Sequence, residues 1–333
     1  MTTRLFSILL TIAALTQATT AASVTAEQQV ELTTSAGAIH GTLAIPPDTD
    51  KTGKVPVILI IAGSGPTDRD GNSLALPGKN NSYKMLADSL AAEGIASLRY
   101  DKRGIAASRA AGTSEANLRF DMYVDDAAAW IKQLQDGGRF SRVVVAGHSE
   151  GSLIGMLAAG KARADAFVSI AGPARRASAV LRDQMRPQIG AMPALWEAFE
   201  TILASFEAGT TVEPMPPAVQ SVPALASLFR LSVQPYMISW IKYAPAAEVA
   251  RLAVPVLIVQ GTHDIQVSVD EARALKAAKP DAELLLVEGM NHVLKNAPTD
   301  RLQNIATYSN PDLPIAPDVP KAIASLARRI AGR

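Results

Sequence analysis

The chain has 333 residues, 48% of them hydrophobic and 19% charged, with a formal net charge of +1 and no cysteine. That apolar content excludes a disordered chain, and the length admits one large domain with an insertion or two domains. The balanced charge gives no basis for a nucleic-acid or anionic-membrane partner, and the missing cysteines exclude disulfides, a thiol nucleophile, thiolate metal sites and a lipidated cysteine.

The N-terminus has the three-part order of a secretory signal: Arg4 in a short positive region, an apolar core over 5–15, then small residues at Thr19, Thr20, Ala21 and Ala22. A signal peptide over 1–22 predicts export to the periplasm or beyond. Its apolar core is too short for a stable membrane span.

Residues 29–34 and 38–45 alternate apolar and polar around Ser35-Ala36-Gly37, which predicts a β-hairpin. The run 55–62 is continuously apolar, as a strand buried on both faces requires. It ends in Gly63-Ser64-Gly65-Pro66-Thr67-Asp68-Arg69-Asp70-Gly71-Asn72, a turn at the sheet edge where ligands bind in open α/β folds. The charged trio Asp68, Arg69 and Asp70 either braces this loop or touches substrate. A helix over 81–93, a strand over 95–101 and a helix over 117–135 follow.

Next, 142–146 reads as a buried strand, and Gly147-His148-Ser149-Glu150-Gly151 leads from it into a small-residue helix. This G-x-S-x-G turn between strand and helix is a nucleophile elbow, which lifts the Ser149 hydroxyl above the sheet at a helix N-terminus. The two glycines suit the close passage of strand past helix. A strand over 166–172 continues the alternation, predicting a mostly parallel sheet with right-handed crossovers.

That rhythm breaks over 173–248, a helical stretch interrupted by eight prolines and supplied with Met192, Trp196, Met237 and Trp240. It reads as a helical cap over the sheet edge, inserted into a core formed by 23–172 and 249–333. Those four side chains, with Arg69, are the candidate substrate contacts. The sheet resumes at 254–261 and 282–288, with a helix at 269–278 between them and a closing amphipathic helix from Asp318 to about Ile330.

Ser149 needs a base, and the chain has four histidines. His40 lies in the hairpin, His148 flanks the serine and should point away from it, and His263 adjoins a candidate acid. His292 follows the last strand at the correct edge and is the expected general base. Asp264, after the preceding strand, is the expected carboxylate that fixes the imidazole tautomer. The order Ser149, Asp264, His292 is that of α/β-hydrolases.

With these residues in place the chain resembles α/β-hydrolases of the serine esterase, lipase and serine-aminopeptidase-like group. The matching stretches are Gly63 to Asn72, Tyr100-Asp101-Lys102-Arg103-Gly104, Gly147 to Gly151, Gly261-Thr262-His263-Asp264 and Asn291-His292. Many relatives carry His-Gly at the oxyanion strand end where this chain has Ala62-Gly63, so a side-chain contribution is lost and backbone donors remain. The expected oxyanion hole is the N–H of Glu150 with that of Ser64 or Gly65. The resemblance implies hydrolysis of small-molecule carboxylic esters through an acyl-enzyme, without metal or cofactor. Amide hydrolysis is the alternative, with Glu197, Glu200, Glu207 and Glu213 available to hold a free amine. Acyl transfer is a related one, and a non-catalytic ligand-binding protein is disfavoured because it needs no triad. Nothing in the sequence fixes the oligomeric state.

Overall fold

The computed structural model describes residues 26–47, 49, 54–73 and 77–332; the signal segment expected over 1–22 lies outside them. Eight strands form one sheet: β1 (Ala26–Thr34), β2 (Gly37–Ile45), β3 (Val57–Ile61), β4 (Ala96–Tyr100), β5 (Val143–His148), β6 (Ala166–Ile170), β7 (Val256–Gly261) and β8 (Glu283–Val287). Their spatial order is β1-β2-β4-β3-β5-β6-β7-β8. β1 and β2 are the expected antiparallel hairpin, with Thr34 opposite Gly37, and β2 also runs antiparallel to β4. Every other neighbouring pair is parallel. The architecture is therefore the α/β-hydrolase fold read from the sequence.

The central strands show why an unbroken apolar run was needed. In β3, Val57, Leu59 and Ile61 join the core on one face, while Ile58 and Ile60 join that on the other, all at most 1% exposed. Val143 and Val145 in β5 divide from Val144 and Ala146 in the same way. Burying each such side chain contributes about 1.5–3 kcal/mol, so substitution by a polar residue on either face is costly. The first face is covered by α2 (Phe120–Asp136), α3 (Glu150–Ala162) and α10 (Val269–Ala278), the second by α1 (Ser82–Ala92) and α12 (Asp318–Ala331).

Between β6 and β7 the chain forms six helices: α4 (Ala177–Ile189), α5 (Pro193–Glu207), α6 (Pro217–Gln220), α7 (Pro223–Leu228), α8 (Gln234–Ile241) and α9 (Pro245–Ala250). Five of them carry proline at the first or second position, where a missing N–H costs no hydrogen bond. The first five pack a third core around Phe199, Phe206 and Phe229, while Val249 of α9 joins the core on the first face of the sheet. One further helix, α11 (Arg301–Ala306), precedes α12; Asp300 caps it by accepting the Gln303 N–H. Among the described residues no helix is long and apolar enough to cross a membrane.

Candidate active site

The loops after β3, β4, β5, β7 and β8 converge on one edge of the sheet. At its centre Ser149 adopts φ 55° and ψ −121° between β5 and α3, a conformation that a residue with a Cβ holds only under strain. The strain is imposed from both sides. A Cβ on Gly147 would overlap the Gly151 carbonyl, and one on Gly151 would overlap the carbonyls of Ile61 and Ala62. The Ser149 N–H is tied to the Ile170 carbonyl at 2.9 Å.

Ser149 opens into a cavity of about 350 Å³. Ser64, Gly65 and Glu150 share its polar end; Leu181, Val233, Tyr236, Met237 and Trp240 are among its apolar walls. Of the candidate substrate contacts, Met237 and Trp240 thus line the cavity and three others lie away from it. Met192 is 53% exposed on the surface. Trp196 packs on Phe199 and beneath the Arg186 guanidinium. Arg69 pairs with Asp101 at 2.7 Å and also donates to Gln29 and Thr42. The charged trio braces its own loop: Asp68 accepts the N–H groups of Asp70 and Asn72, and Asp70 pairs with Arg99.

Behind the serine, His292 Nδ1 lies 2.8 Å from Asp264 Oδ2, and both side chains are buried. Asp264 Oδ1 accepts the N–H groups of Gln266 and Val267, and Oδ2 also accepts from Gln260 Nε2. Burial by itself would raise the Asp264 carboxyl, but the neighbouring imidazole and these donors outweigh it and hold the group below its ordinary value. A carboxylate at Nδ1 fixes the proton there and leaves Nε2 as the basic nitrogen. The His292 ring stands 4.7 Å, centroid to centroid, from that of His148, the residue before Ser149. Among the described residues, the Ser149 hydroxyl itself has no hydrogen-bond partner and faces the cavity.

The other histidines have different partners. His40 pairs with Glu31, and His263 Nδ1 meets the Ala297 carbonyl. His148 turns away from the serine and links two loops. Its Nε2 lies 2.7 Å from the His292 carbonyl, which can only accept, so Nε2 carries the proton. Nδ1 then accepts from the Tyr83 hydroxyl at 2.8 Å, and that hydroxyl accepts the Gly63 N–H at 3.1 Å. Burial, reinforced by His292, pushes His148 down to about 3 from 6.5. Between those values the unfolded chain takes up a proton that the native state refuses. The stability contributed by neutral His148 is therefore complete above pH 6.5 and falls as pH drops toward 3. From pH 6.5 to 4.5 wild type should lose about 2 kcal/mol more than His148→Gln in denaturant melts. Equal losses in the two proteins would sink this account.

Sequence reasoning missed a second buried cluster. Lys102, in the loop after β4, donates to the Gly63 carbonyl at 2.6 Å and pairs with Glu150 at 3.0 Å, with both side chains 2% exposed. Tyr236 from α8 donates to the other Glu150 oxygen, and Lys102 lies over the Tyr123 ring. The motif around Lys102 was visible, but nothing local marked this lysine as buried.

Comparison with known proteins bears on the fold and the family. Esterase EstD of Thermotoga maritima is 27% identical over 269 residues, covering 77% of this chain and 58% of that relative. Among solved structures, Est1E from Butyrivibrio proteoclasticus superposes with a TM-score of 0.55 at 16% identity, over 92% of this chain and 99% of that one. The α/β-hydrolase GrgF from Penicillium sp. sh18 gives 0.57 at 17% identity, over 92% and 100%. These likenesses carry the fold. The family described as serine aminopeptidase, S33, matches residues 78–298, a stretch that contains Ser149, Asp264 and His292. The chain belongs to this serine aminopeptidase S33 family of α/β-hydrolases.

Proposed function

We propose that the protein hydrolyses carboxylic esters through an acyl-enzyme on Ser149, with an apolar acyl or alcohol group held under a helical cap formed by 173–248. The observation that carries this reading is the strained Ser149 at the mouth of an apolar cavity, backed by a buried imidazole–carboxylate pair. His292 Nε2 takes the Ser149 proton as the oxygen attacks the ester carbonyl. The N–H groups of Glu150 and Ser64, or Gly65, receive the oxyanion. His292 then protonates the leaving alcohol, and water repeats the sequence on the acyl-enzyme. The separate core of the first five helices between β6 and β7 supports treating that segment as a cap. The order of residues 1–22 supports export.

Ester rather than amide chemistry is favoured by what faces the cavity. Glu150 is the acidic side chain that lines it, and its oxygens are engaged by Lys102 and Tyr236. Glu200 and Glu207 pair with Arg182. Among the described residues that line the cavity, none offers a free carboxylate to an α-amine. The test is a fluorophosphonate probe with peptide mapping, beside p-nitrophenyl esters graded by acyl length and aminoacyl anilides. A single adduct on Ser149 and turnover of esters well above anilides are expected. An unlabelled Ser149 in folded protein, or faster anilide cleavage, would overturn the assignment.

A further inference from the structure

We propose that Lys102 is a positioning residue for the oxyanion hole, acting through the backbone of Gly63. This inference rests on the acyl-enzyme reading above and adds a residue to it. Gly63 is gripped at both polar ends: Lys102 Nζ holds its carbonyl at 2.6 Å, and the Tyr83 hydroxyl accepts its N–H at 3.1 Å. It is also wedged against the elbow, since a Cβ there would stand 3.2 Å from His148 Nδ1 and 3.3 Å from Ser149 Cβ. The Gly63–Ser64 peptide is planar and trans, so its C=O and its N–H point in opposite directions. Fixing the carbonyl toward Lys102 therefore fixes the Ser64 N–H away from it. Ser64 is exposed and, with Gly65, shares the cavity with Ser149.

The loop needs such a grip. After Ser64, Gly65 has φ +73° and open space where a Cβ would be, so packing on that side does not hold the loop. A donor aimed before the reaction costs no reorganisation when charge develops, which is where an oxyanion hole gains its effect. Glu150 completes the arrangement. Its backbone N–H is the proposed second donor, while its carboxylate balances the Lys102 ammonium in a site where a lone buried charge is costly. One ion pair thus ties together the two peptides that supply the hole.

The test separates aiming from charge balance. Lys102→Met/Glu150→Gln removes both charges and keeps both backbone donors. It should fold, hold KM within about threefold and lose kcat by about 10- to 100-fold. Affinity for a trifluoromethyl ketone, whose adduct with Ser149 carries an oxyanion, should fall by the same factor. Tyr83→Phe loosens Gly63 from its other end and should show the same pattern severalfold, which keeps the test open if the double variant does not fold. Recovery of wild-type kcat in the double variant, or lost kcat with undiminished ketone affinity, overturns the clamp. Wild-type protein that turns over no ester overturns the catalytic reading and this one with it.

Discussion

Ser149→Ala is expected to lower kcat for esters by roughly 10⁵- to 10⁶-fold while leaving the protein folded. The activity loss follows from removing the atom that forms the acyl bond; what survives is water attack assisted by the oxyanion donors. Stability should stay nearly constant for a specific reason. The cost at this site comes from a residue with a Cβ held at φ 55°, and alanine keeps that Cβ. The Ser149 N–H to Ile170 bond is a backbone interaction and is retained. The hydroxyl that is lost has no protein partner among the described residues, so no buried group is orphaned. Melting should therefore shift by no more than about 2 °C. Ester turnover above 1% of wild type in purified variant would mean that the nucleophile lies elsewhere.

What could be read in advance was what local sequence encodes. Gly147 answers to a close approach four residues along at Gly151, Gly151 in the same short motif answers to the end of β3, and β3 and β5 announce themselves as apolar runs because both their faces are covered. Asp264 and His292 were legible as polar residues directly after strands on the catalytic edge. The Gly63 clamp was not, because it joins residues 39 and 48 positions apart, and lysine is ordinarily solvated. In the cap, composition supplied aromatic and Met side chains without saying which helix faces the cavity. Met237 and Trp240 on α8 do so, while α5 spends its inner face on Phe199, Ile202 and Phe206, and this leaves Trp196 to Arg186. The short α11 gave no signal, since six residues span less than two turns of periodicity.

Asp264→Asn should lower kcat by about 10⁴-fold, through a tautomer rather than a lost contact. Asparagine is nearly isosteric, and its orientation is decided by neighbours. The Gln266 and Val267 N–H groups both point at the Oδ1 position, so the asparagine oxygen belongs there and its NH2 turns toward His292. His292 Nδ1 must then accept, which moves the ring proton to Nε2. A protonated Nε2 cannot take the Ser149 proton, and the negative charge that would stabilise an imidazolium is gone as well. The reverse orientation would set the NH2 against two backbone donors and forfeit both bonds. Stability should fall too, by about 1–2 kcal/mol. Gln260 Nε2 would face the new NH2, and turning its amide would give up its 2.9 Å bond to the Val267 carbonyl. Labelling of Ser149 by fluorophosphonate should slow in step with kcat, since both need the serine proton removed. A loss of less than tenfold in kcat, in protein shown to be folded, would mean that another group orients the base.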